Sequence, residues 1–142
     1  MSMNPDILQK IDAIFDEYRR EDSDVLALAM ISTDGRPLSS TFNDEILIRR
    51  LAPLFTALHE IGNCLCEAYH RQNYAQFCCV RCKEPSLISI PLNYGLVVAN
   101  LKGRARLGGL FTFENLQQIA AYIDTLISTG QEPPPLTWKW GI

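Results

Sequence analysis

Residues 27–40 read ALAMISTDGRPLSS, and the fold follows from how this stretch is taken. Together with the residues before it, Asp24 to Ser32 (DVLALAMIS) is apolar at both even and odd positions. That is the pattern of a strand covered by helices on both faces, since successive side chains point to opposite sides of a sheet. Thr33-Asp34-Gly35-Arg36 follows as a hairpin turn, because Asp-Gly readily supplies the positive φ angles of a tight turn. Pro37 to Phe42 is then the short return strand, and a proline at its start suits a sheet edge.

Upstream of the hairpin, Ile7, Ile11, Ile14 and Tyr18 recur at helical spacing with Leu8 and Phe15 alongside. Asn4 serves as cap and Pro5 as first-turn residue, and the acidic run Glu21 to Asp24 ends the helix. Downstream, Leu47, Leu51, Leu54, Leu58, Ile61, Leu65 and Ala68 alternate steps of four and three, with Ile48, Phe55 and Tyr69 widening the stripe. The spacing predicts a long helix capped by Asn43, with Asp44 and Glu45 in the first turn and a kink or restart at Pro53. It carries more apolar surface than one face of a small sheet requires.

Ala75 to Lys83, Ser86 to Leu92 and Gly95 to Asn100 follow as three strands of a meander, separated by turn signals around Pro85 and Asn93-Tyr94-Gly95. Thr112 is the expected cap of a last helix whose Leu116, Ile119, Ile123 and Leu126 form one face, with Gly130 as its stop. QEPPPLTWKWGI, residues 131–142, remains as a proline-rich tail outside a domain spanning residues 1–130.

The predicted fold class is α+β: one five-stranded antiparallel sheet with helices on both faces, in the order helix, two strands, helix, three strands, helix. With that order, the ALAMISTDGRPLSS hairpin, the long helix after it, and GLVVANLKGRARLGGLF (residues 95–111) leading into the last helix, the chain resembles the roadblock family over about residues 5–129. That family includes dynein light chains and regulators of small GTPases. The resemblance implies a profilin-like sheet and a homodimer. It also implies action on a partner by docking, without covalent chemistry.

Composition narrows the classes. The chain has 142 residues, 47% apolar and 20% charged, enough for one globular domain with a real core. A net charge of −3 argues against sequence-independent nucleic-acid binding, which depends on many cationic side chains. No stretch has the roughly 18 apolar residues of a membrane span, and the polar N-terminus shows no export signal, so a cytoplasmic location is expected. Five cysteines, an odd number, suit reduced thiols better than a disulfide framework.

Catalytic and metal signatures are incomplete. His59-Glu60 begins a zinc-protease helix, but position 63 is Asn. Gly103, Gly108 and Gly109 lack the following Gly-Lys-Ser/Thr of a phosphate loop, and with only His59 and His70 a nucleophilic triad is poorly supported. Cys64-x-Cys66 and Cys79-x-x-Cys82 imitate a four-thiolate zinc site. Two residues apart on a helix means about 200° apart in direction, and an odd spacing on a strand means opposite faces, so the four sulfurs are not expected to converge. No cofactor, metal or catalytic residue is predicted, and no arginine finger can be assigned. Adjacent Cys78 and Cys79 are the one hint of redox sensing. Lys102, Arg104 and Arg106 alternate as a solvated basic strip, or as a contact for an acidic partner or phospholipid headgroups.

Two features point instead to protein binding. By the resemblance, the strand Ala75 to Lys83 lies at the sheet edge, yet it carries Phe77, Cys78, Cys79 and Val80 with no proline and only a late charge to blunt it. Beside it, Leu47, Leu51 and Leu58 of the over-apolar helix complete a predicted dimer interface. In the tail, Trp138 and Trp140 share one side of an extended chain after Pro133-Pro134-Pro135, and either dock on their own domain or anchor a partner. The function implied by the resemblance is a dimeric platform that regulates or scaffolds a small Ras-like GTPase, of the gliding-polarity kind in a bacterium. A cysteine-based metal or redox sensor and a motor or cargo adaptor light chain are the alternatives.

Overall fold

The first helix, α1 (Pro5–Glu21), starts where Asn4 Oδ1 accepts the Asp6 N–H at 2.9 Å and Pro5 presets the first turn. Arg19 and Arg20 lie in its last turn, where positive charge suits the helix dipole. Its inner face, Ile11, Phe15 and Tyr18, is completely buried. Each such side chain contributes about 1.5–3 kcal/mol of burial. The computed structural model describes residues 3–69, 74–102 and 109–139. Trp140, His70, Gly103, Arg104, Arg106 and Gly108 lie outside them.

Strands β1 (Val25–Ser32) and β2 (Pro37–Ser40) form the expected hairpin, β3 (Cys78–Arg81), β4 (Ser86–Leu92) and β5 (Gly95–Leu101) the expected meander. They make one antiparallel sheet in the order β2-β1-β5-β4-β3, so β1 is interior, β5 central, and β2 and β3 the edges. Helix α2 (Glu45–Tyr69) covers one face and packs on Ala29, Ile31, Leu96 and Val98 through Ile48, Ala52 and Phe55. On the other face α1 and α3 (Gly109–Thr129) bury the larger cluster, with Leu28, Met30, Val97, Leu116, Ile119, Ile123 and Leu126. The two-sided apolar pattern of β1 is thus explained, although Leu26 is 46% exposed near its start.

Two glycines hold close approaches. A Cβ on Gly35, whose φ is 82°, would stand 3.2 Å from Pro53 Cα, so the hairpin turn rests directly on α2. A Cβ on Gly95 would stand 1.9 Å from the Ile31 carbonyl oxygen, inside the β1–β5 pairing.

Several boundaries differ from the sequence reading, each for a local reason. The return strand stops at Ser40 rather than Phe42, because Thr41 offers its Oγ1, not its carbonyl, to the Leu28 N–H at 2.8 Å. Asp44, not Asn43, begins α2: its Oδ1 accepts the Leu47 N–H at 3.0 Å and its carbonyl accepts that of Ile48. No restart occurs at Pro53, which lies inside a single 25-residue helix against the Gly35 turn. Thr112 does not cap α3, which begins at Gly109; its hydroxyl instead donates to Asp22 Oδ2 at 3.1 Å. Gly130, at φ 70°, does end that helix, donating its N–H to the Leu126 carbonyl at 2.9 Å.

Candidate functional site

The edge strand is shorter than its sequence suggests, because the residues before it are stitched to α2. Asn63 Oδ1 accepts the Ala75 N–H at 2.7 Å, and His59 Nε2 lies 3.2 Å from the Ala75 carbonyl. Both backbone groups of Ala75 are therefore committed to the helix, and pairing with β4 begins only at Cys78. One turn further along α2 from Leu58, Gly62 leaves room for Cys78, whose Sγ would be 3.1 Å from a Cβ there. These contacts set β3 against the C-terminal half of α2.

Burial holds the His59 imidazole below its ordinary range, only partly offset by the Ala75 carbonyl, and its Nδ1 has no hydrogen-bond partner. A depressed folded-state value means that the unfolded chain binds the proton more readily. Stability is then complete above the ordinary imidazole value of 6.5 and declines as pH falls below it. Melting curves between pH 7.5 and 5.5 should show a falling midpoint in the native protein and a flatter profile in His59→Gln. An equal slope in both proteins would show that His59 does not set the pH dependence.

The outer side of α2 carries a continuous apolar stripe that nothing in the chain covers among the described residues. Leu47 is 41% exposed, Leu54 64%, Ile61 59% and Leu65 68%. Leu51, Leu54, Phe55 and Leu58 meet Val80 and Leu87 in a shallow depression between α2 and the sheet edge, lined by apolar residues alone. Val80 and Leu87 are cross-strand partners, so strand pairing places them together on the α2 face.

The seven predicted interface residues divide between two faces. Leu51, Leu58 and Val80 meet in the depression, Leu47 lies up the stripe, and Cys78 points to α2, with Sγ 4.0 Å from the Leu58 carbonyl oxygen. Cys79 points the other way and packs on the α1/α3 core. Phe77 precedes β3 and turns its ring edge-on to Phe113 of α3, with centroids 4.6 Å apart. Leu87 was not singled out from sequence, since its seven-residue strand alternates no more clearly at that position than elsewhere; only the pairing register reveals it.

Burial pushes the Cys78 thiol up, with Cys66 nearby adding to the effect, and burial likewise raises Cys79. Reactive sensor thiols have the opposite tendency, towards thiolate. Among the described residues no three His, Cys, Asp or Glu side chains are grouped as a metal would need, and no helix is long and apolar enough to cross a membrane. Lys102 is exposed just beyond β5, its N–H donating to the Asp24 carbonyl at 2.7 Å.

On the far side of the sheet the tail returns to the body. Leu136 and Trp138 pack on the α1/α3 core, the indole 4.7 Å from the Tyr18 ring. Asn115, fully buried in α3, accepts the Lys139 N–H and donates to the Lys139 carbonyl, both at 2.8 Å. No sequence pattern singles out Asn115, or joins it to Lys139 and Tyr18, which lie 24 and 97 residues away along the chain.

A helix, a hairpin, a long helix, a three-strand meander and a helix about this sheet define a roadblock-type fold. Myxococcus xanthus MglB is similar, with a TM-score of 0.76 at 14% identity over 95% of this chain and 100% of that one. A roadblock/LC7 domain from Streptomyces avermitilis is similar at 0.70 and 18%, over 83% of this chain and 98% of that one. MglB in a tetrameric arrangement is similar at 0.67 and 15%, over 87% and 96%. No protein-family model matches the sequence, and no curated protein does.

Proposed function

We propose that this chain is a non-catalytic, homodimeric platform of the roadblock type that regulates or scaffolds a small Ras-like GTPase. The observation that carries the reading is the bare apolar stripe of α2 beside the unblunted β3 edge. The sheet leaves two edges, and they are treated differently. β2 opens with Pro37, whereas β3 has none and presents Cys78, Cys79 and Val80 before its first charge, Arg81. Antiparallel pairing of two β3 edges would bring two α2 stripes together about a two-fold axis. The similarity to MglB, one of whose structures has a tetrameric arrangement, supports self-association. The GTPase rests on the family resemblance; its own switch loops would be positioned by docking, with no group from this chain taking part in hydrolysis.

Binding of the full chain to Ras-like GTPases of its own cell, loaded with GDP or a non-hydrolysable GTP analogue, tests the partner class. A saturable complex that prefers one nucleotide state is expected. Retention of none of them, by protein that is folded and dimeric, would overturn the GTPase reading while leaving the dimer in place. Hydrolysis rates with and without the platform then separate activation from scaffolding.

A further inference from the structure

The tail is held in an unusual way for a structural element. Of residues 131–139 only Pro133, Leu136 and Trp138 are even partly buried. The connector is Gly130 at φ 70° followed by three consecutive prolines, two of them exposed, which favours an extended stiff strap with no hydrogen bonds of its own. Beyond it, two side chains spaced i, i+2 point at the body, and one buried amide pairs with both main-chain groups of Lys139. An anchor residue plus main-chain pairing is how extended peptides are bound in trans. Few contacts and an exposed backbone also mark segments that open locally at low free energy.

The receiving surface is built without the tail. Tyr18 OH donates to Asp22 Oδ2 at 2.7 Å, Thr112 Oγ1 donates to the same oxygen at 3.1 Å, and Asp22 Oδ1 accepts the Asp24 N–H at 3.0 Å. Asn115 Nδ2 lies 3.4 Å from Tyr18 OH. This network fixes the Tyr18 ring as a platform and the Asn115 amide with one donor and one acceptor facing outward. Glu114 Oε2 lies 3.2 Å from Lys139 Nζ, favouring a basic side chain after the tryptophan. With the tail removed, the Asn115 amide keeps the 3.4 Å contact of its Nδ2 with Tyr18 OH, and its other donor and its acceptor are left to water or to the main chain of another extended segment.

We infer that the cleft between Tyr18 and Asn115 is a peptide-binding site for extended segments of the form apolar-x-Trp-basic in a partner protein, and that residues 136–139 are its resident, exchangeable ligand. In the intact chain the tethered tail competes at an effective concentration of the order of millimolar, so the site is closed until a tighter segment displaces it. This surface lies on the α1/α3 side of the sheet, opposite α2, and stands whether or not the dimer and GTPase reading does.

The test uses the whole chain with a protease site inserted between Gln131 and Glu132, cut after folding. Both tryptophans of the protein are then on the released peptide, so indole emission reports the peptide alone. Expected results are release of peptide 132–142 on dilution, a body that stays folded, and a blue shift with 1:1 saturation when synthetic peptide is added back. Binding should weaken about 30-fold or more for peptide with Trp138→Ala, the effect of losing a hot-spot side chain. Asn115→Ala in the body should weaken native and Trp138→Ala peptides alike. A tail that stays bound until the body unfolds in the same transition would show a permanent part of the core and overturn the inference. So would a released body that unfolds, or one that takes a scrambled peptide equally well.

Discussion

Gly95→Ala is expected to abolish the native fold or lower its midpoint by more than about 10 °C, corresponding to a loss above roughly 4 kcal/mol in a domain of this size. The added methyl would lie 1.9 Å from the Ile31 carbonyl oxygen and 3.0 Å from its carbon, both backbone atoms. No rotamer change relieves a backbone clash. Relief requires β1 and β5 to part at Ser32–Gly95, the last rung of the ladder that pairs the interior strand with the central one. Gly130→Ala supplies the contrast: its Cβ would meet nothing within 4 Å, so only the positive φ opposes it, about 1 kcal/mol. Thermal melts of the two variants, measured together, separate a packing effect from a general penalty for replacing glycine. Equal midpoints would contradict the close β1–β5 approach.

The contrast also shows what a sequence can and cannot reveal. DVLALAMIS announced a strand covered on both faces because two-sided burial writes itself into consecutive positions, here Ala27 to Ile31. Leu116, Ile119, Ile123 and Leu126 announced α3 because a single buried face repeats at helical spacing. Boundaries were less legible, since they turn on single hydrogen bonds: Thr41 takes over from strand pairing, and Asp44 rather than its neighbour Asn43 caps α2. The start of β3 was misread because Ala75 is committed to Asn63 and His59, contacts across 12 and 16 residues that no local pattern encodes.

The proposed interaction surface was legible only in part as a set of neighbouring residues. The excess of leucines on α2 was visible, and so was the lack of protection in residues 77–81. Which edge residues join the stripe was not, because that depends on pleat direction and register: Val80 and Cys78 face α2, while Cys79 faces α3 and Phe77 reaches Phe113. The Tyr18–Asp22–Thr112–Asn115 network was invisible, its members being common polar residues separated by up to 97 positions.

The second large effect is expected from Leu54→Glu. This side chain is 64% exposed, so a carboxylate there leaves the single chain folded, with unchanged far-ultraviolet dichroism. Across a two-fold interface the substitution acts twice, removing two leucines worth about 1.5–3 kcal/mol each and bringing two like charges into an apolar contact. Dimer dissociation should become at least about a thousandfold easier, enough to give monomer at micromolar concentration.

Whether the α2 stripe and β3 edge close on a second copy can be read from light scattering coupled to gel filtration of the unmodified protein at micromolar concentration. The expected mass is twice the 16.0 kDa of the chain, falling to 16.0 kDa in Leu54→Glu. A mass of 16.0 kDa for the unmodified protein, or a dimer that Leu54→Glu leaves intact, would contradict it.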